Sequence, residues 1–121
     1  MKKKVFYILI LFATIACNNK KECNELTGTY STFTEARKDI TKANYPIKKI
    51  QLTPESSWIK RIEFYSCNEE DGYLIIYTKR SEEYIHAHVP LTVWEELSTS
   101  TSKGSYYNSH IINRYPFNLN L

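Results

Sequence analysis

The sequence predicts an α+β fold, a small antiparallel sheet packed with helices, and three observations predict it. Runs with period-two alternation follow one another over residues 59–89, separated by short polar turns. Segments with helical spacing flank those runs on both sides. After an N-terminal leader, about 105 residues remain, enough for one small domain and too few for two. The ten tyrosines and two tryptophans can fill the core of such a domain while keeping polar tips at its edge.

The leader is read first, because it leaves before folding. Lys2, Lys3 and Lys4 precede an apolar run from Val5 to Ala16, and Cys17 opens a polar stretch, the pattern of a secretory signal over 1–16. The run is shorter than the roughly 20 apolar residues that a permanent span requires. The small Ala16 directly before Cys17 resembles the lipobox of bacterial lipoproteins, with Thr14 where leucine is usual. That resemblance implies cleavage before Cys17, its acylation, and a mature protein tied to the membrane of the bacterial cell envelope. Removing the three leader lysines from 16 basic side chains leaves 13 against 13 acidic ones. A neutral mature chain lacks the general electrostatic footprint of a nucleic-acid binder.

Residues 17–28 are polar, show no apolar period and read as a lipidated, flexible tether. An extension over 29–55 follows. The stretch "TFTE" at Thr32 offers a capping box to a helix in which Phe33, Ala36, Ile40 and Ala43 recur at helical spacing, with Asn44 and Pro46 as its stop. Ile47 to Leu52 reads as an extra strand, closed by Pro54. "WIKRIEFYSC" is expected as a half-buried strand with Ile62 and Phe64 inward, and the acidic turn "NEEDG" joins it to "YLIIYTK". "EYIHAHV" completes a three-strand meander, with Tyr84, His86 and His88 expected on one face. Pro90 then starts a helix carrying Val93, Trp94 and Leu97, and "STSTS" breaks it. A last helix runs from about Gly104, with Tyr107, Ile111 and Tyr115 inward and Tyr106, His110 and Asn113 outward.

The segments "SSWIKRIEFY", "EYIHAHVPLTVWEEL" and "SKGSYYNSHIINRYP" are similar to the KTSC domain, a short bacterial module also found after some lysyl-tRNA synthetases. The resemblance covers Ser56 to Pro116 and assigns 56–121 to a KTSC-like domain. Its paired serines fall on Ser56 and Ser57, and its central motif on Tyr84, Val89 and Pro90. Its closing motif falls on Ser102, Gly104, Tyr106, Tyr107, Asn108, Ile111 and Tyr115. The second tyrosine of the central motif is His86 here. The synthetase association implies RNA binding as one function for the module.

These residues support several functions. The preferred one is a non-catalytic binding module, needing no cofactor, that engages a protein, peptide or glycan through Tyr84, His86, Lys103, Gly104, Tyr106, Asn108 and Arg114. The alternative is RNA binding, with Lys103 and Arg114 on phosphates and Tyr84 or Tyr106 beneath a base. A third is a metal site on His86, His88 and His110, since alternate strand positions aim two imidazoles one way. Ser102, an exposed Lys103 and Gly104 serve either as a helix cap or as an anion site at a helix start. Cys23 and Cys67 either form a disulfide or stay apart, one in the tether and one as a buried thiol, and the second arrangement is slightly favoured.

Overall fold

The computed structural model describes residues 20–120; the leader and Cys17 lie outside the described residues. Helix α1 spans Phe33–Lys42 and is followed by strands β1 (Ile47–Leu52), β2 (Ile59–Ser66), β3 (Asp71–Thr78) and β4 (Glu83–Pro90). Helices α2 (Leu91–Thr99) and α3 (Lys103–His110) follow. The strands form one four-stranded antiparallel meander in the order β1-β2-β3-β4, so the extra strand extends the expected three. Among the described residues, no helix is long and apolar enough to cross a membrane.

The sheet is the middle of three layers. On one face Ile62, Phe64, Leu74 and Ile76 pack against Trp94 and Leu97 of α2 and Tyr107 of α3. The Phe64 and Trp94 rings stack at 5.7 Å. On the other face Tyr65, Ile75 and Ile85 meet Ala36 and Ile40 of α1, together with Tyr30 and the C-terminal Phe117 and Leu119. Covering both faces explains why β2 is buried almost throughout and is not the half-buried strand that its alternation suggests. The polar residues of the covered face are satisfied there: Glu63 accepts from the hydroxyls of Tyr65 at 2.6 Å and Tyr77 at 3.1 Å, and from Arg61 Nε at 2.8 Å.

Local signals act much as the sequence implies. Thr32 Oγ1 accepts from Glu35 N at 3.1 Å, and Glu35 reaches back to Ser31 N, one residue further than a standard box. Helix α2 ends at Thr99, inside the expected break, and the hydroxyls of Ser98 and Thr99 donate to Glu95 O within its last turn. Helix α3 ends at His110, earlier than expected, and Asn113 with φ 68° turns the chain toward Pro116.

Two bulges set which side chains share a face. Ile59 pairs with Thr78 and Arg61 with Tyr77, so β2 carries one extra residue and Ile59 joins Ile62 on the α2/α3 face. In β4, Leu74 pairs with His86 while Gly72 pairs with Val89: two steps along β3 match three along β4. His88 takes φ 58° at that point. Val89 therefore shares the face of His86, and the expected common face of His86 and His88 does not exist. Gly72 is required here, since a Cβ would lie 2.1 Å from Tyr65 O.

The segment expected as a free tether is docked from Lys21 onward. Cys23 N donates to Asn44 O at 3.0 Å and Asn44 N to Lys21 O at 2.9 Å, while Cys23–Glu25 forms a 3-10 turn. Cys23 is bonded to Cys67, 44 residues away, in place of the favoured separate thiols. The turn after α1 brings Cys23 beside the end of β2, a juxtaposition that sequence separation does not reveal.

Candidate functional site

The meander gives the domain two ends. Ile47, Ser66, Asp71 and Pro90 mark one, and the Cys23–Cys67 bridge sits there. Leu52, Ile59, Thr78 and Glu83 mark the other. Eight-residue strands separate the ends by about 25 Å. Both hollows that hold the site residues named from sequence open at the second end.

The larger hollow, about 700 Å³, is lined by Trp58 before β2, Tyr84 and His86 of β4, Tyr107 and Asn108 of α3, and Phe33 of α1. The chain after α3 closes it with Ile112, Asn113, Pro116 and Phe117. Phe33, Tyr84 and Ile112 are 48%, 40% and 42% exposed, three of the five large hydrophobic side chains that face solvent among the described residues. Large exposed apolar groups gathered in one concavity mark a contact site more often than scattered ones do. Tyr84 OH donates to Glu82 at 3.1 Å, and that bond raises its pKa.

His86 forms the floor. Its Nδ1 lies 3.0 Å from Tyr115 O, which can only accept, so Nδ1 carries the proton. Nε2 then accepts from Tyr107 OH at 2.7 Å. The two rings meet edge to face at 5.3 Å. Burial lowers the His86 pKa against the opposing bond to Tyr115 O, keeping the ring neutral, and burial pushes Tyr107 up to about 12. The imidazole is thus a hydrogen-bonded strut between β4, α3 and the C-terminal chain.

A smaller polar hollow of about 290 Å³ adjoins it across Trp58 and Asn108, which line both. Its wall is the start of α3, where Ser102 Oγ accepts from Ser105 N at 3.4 Å as a cap. Lys103 is not exposed as expected: only 5% of it is accessible, and its ammonium donates to Ser100 O at 3.0 Å and meets Glu55 at 3.2 Å. A cation buried in this way needs such partners, so Lys103 is committed to the fold. Glu55 is held below the usual carboxylate range by its own backbone and by Lys103. Gly104 allows Trp58 to lie against the helix, since a Cβ would stand 2.4 Å from the indole nitrogen. Ser56 is likewise structural, its hydroxyl accepting from Ile59 N at 3.1 Å.

The residues selected from sequence therefore divide. Tyr84, His86 and Asn108 meet in the large hollow, and Lys103, Gly104 and Asn108 in the small one. Tyr106 lies outside both, donating to Glu96 at 2.7 Å and stacking on His110 at 4.2 Å. Burial and Glu96 push its pKa up to about 12. Arg114 is exposed and lines neither hollow. The phosphate-binding set of Lys103 and Arg114 therefore does not converge. The histidine trio does not converge either: both His86 nitrogens are engaged, His88 faces Asp71 at 3.5 Å, and His110 sits on Tyr106. Among the described residues, no group of three or more His, Cys, Asp or Glu is placed to hold a metal ion. Phe33, Trp58 and Ile112 were not among the site residues chosen from sequence. Phe33 carried one usable signal, a large aromatic at the first position of a helix.

Comparison with known proteins identifies the domain. The family model of the KTSC domain matches residues 55–115. No curated protein matches the chain. The crystal structure of a KTSC domain protein from Yersinia pestis is similar, with 20% identity over 58% of this chain and 93% of that one and a TM-score of 0.49. Helix α1 and strand β1 precede the matched region, and every other named strand and helix lies inside it. With half of its length matched by that model, the chain belongs to the KTSC domain family.

Proposed function

We propose that this protein is an exported lipoprotein, held on the bacterial cell envelope through acylated Cys17, whose KTSC domain is a non-catalytic binding module. Its contact site is the large hollow beneath Tyr84. One observation carries this reading: Phe33, Tyr84 and Ile112, from three distant parts of the chain, expose their side chains around one concavity floored by the neutral His86–Tyr107 pair. Such a surface suits an apolar or aromatic group of a protein or peptide partner, with Asn108 and Asn113 available for polar contacts at the rim. The leader and the bonded Cys23–Cys67 pair support export, since disulfides persist in oxidising compartments.

The chemistry of the lining supports non-catalytic binding: its one carboxylate, Glu83, is paired with Arg37 Nε at 2.8 Å. His86 is its one group with an ordinary pKa near neutrality, and both of its nitrogens are occupied. The RNA alternative draws no support from the hollow, because its cations, Lys103 and Arg114, are respectively buried beside Glu55 and remote.

Photocross-linking in cells tests the site. With benzoylphenylalanine in place of Tyr84 or Ile112, the reading expects a discrete adduct, and with the same probe at Tyr106 it expects none. Adducts equally strong from Tyr106, or none from either groove position, would reject it.

A further inference from the structure

The structure assigns a second surface: Lys20, Lys21, Lys38 and Lys42 form a bilayer-facing contact for anionic phospholipid headgroups. It rests on the reading of Cys17 as the lipid anchor. Lys21, whose carbonyl is fixed by Asn44 N at 2.9 Å, is four residue steps from Cys17, so the leash reaches at most about 14 Å. Whatever surface surrounds Lys21 must therefore stand against the membrane.

That surface carries the four lysines among Glu22, Glu25, Glu35 and Asp39, and its carboxylates are engaged within the chain: Glu22 accepts from Asn44 Nδ2 at 3.0 Å and Glu25 from Glu22 N at 3.0 Å. Lys38 and Lys42 lie one turn apart on the outer side of α1, and Lys20, Lys21 and Lys42 line one shallow depression around Asp39. A neighbouring depression brings Lys21, Lys38 and Lys42 together with Glu35. Asp39 is engaged by Tyr30 OH at 2.8 Å and by Lys21 at 3.5 Å, and Glu35 is turned back to Ser31 N. Lys20, Lys38 and Lys42 are exposed and, among the described residues, form no ion pair. Glu69 and Glu70, exposed on the β2–β3 turn, carry the opposite charge at the same end of the sheet, so the α1 side is the one that turns to the lipid. Anionic headgroups attract each such lysine at about fivefold in affinity. The mature protein is neutral overall, so this attraction comes from the placement of the lysines and not from net charge. Docked this way, the domain presents its groove at the opposite end of the strands, about 25 Å from the tether and open to a partner beyond the membrane.

The test uses the mature chain from Asn18, which carries no acyl group yet contains both core clusters and the bridge, and so folds alone. In cosedimentation at low salt it is expected to bind phosphatidylglycerol-containing vesicles over pure phosphatidylcholine ones, and 0.5 M salt should release it. Lys38→Gln with Lys42→Gln should weaken binding roughly twentyfold, while Lys60→Gln, at the far end of the sheet, should leave it unchanged. Equal binding to both vesicle types, or equal losses from Lys60→Gln and the α1 pair, would overturn the assignment. Because no acyl chain is present, this result stands apart from whether Cys17 is lipidated.

Discussion

Replacing Cys67 with serine is expected to lower unfolding stability by about 4 kcal/mol, the chain-entropy value for a loop of this size. The bridge joins Cys23 to Cys67 across 44 residues. In a domain of about 100 residues that is a large share of the total. Without the bridge, the first described residues are held mainly by the backbone bonds between Lys21, Cys23 and Asn44. Urea unfolding checks it: the midpoint should fall in Cys67→Ser, in Cys23→Ser and in the reduced parent by similar amounts, and the double variant should lose no more than either single one. An unchanged midpoint on reduction would show that the bridge contributes nothing. Under the proposal that Cys17 is lipidated, the bridge lies a few residues beyond that anchor, and its loss should also loosen how the domain is held over the bilayer.

The second large effect is expected at His86. Removing its imidazole in His86→Ala opens a space between β4 and α3 and leaves Tyr107 OH and Tyr115 O without their partner. A lost buried partner and a partly collapsed cavity together cost about 3 kcal/mol. The pH dependence identifies the cause. His86 titrates below its ordinary 6.5 in the folded protein, so below that pH the unfolded chain binds more protons. Stability of the parent should be full above about pH 7 and fall as pH drops through 6.5 toward the lowered folded value. Glu55 contributes its own loss only at lower pH, in the carboxylate range. Melting temperatures between pH 7.5 and 5 should drop less steeply in His86→Ala than in the parent, and parallel profiles would contradict the buried neutral imidazole.

Much of the fold was legible because its signals are local. Thr32 and Glu35 announce α1, the alternation of Ile62 and Phe64 announces β2, and Pro90 announces α2. The features that escaped are those set by distant chain. Lys103 reads as a solvated lysine beside a glycine, and only Glu55, brought across by the turn before β2, makes it a buried ion. His86 and His88 read as a matched pair, and the extra residue in β4, visible only in its pairing with β3, separates them. The groove was half legible. Tyr84, His86 and Asn108 stand in the segments that carry the resemblance, whereas Phe33 reaches the same rim from outside them and Ile112, though inside the last one, carries no pattern that marks it as a rim residue.

The central claim, a groove held outward by a lipid at the opposite end of the domain, is tested most directly by labelling cells with a clickable fatty acid. The account predicts label on the processed protein in the membrane fraction and its loss in Cys17→Ser. Label that survives that substitution, or unprocessed precursor recovered from the cytosol, would contradict it.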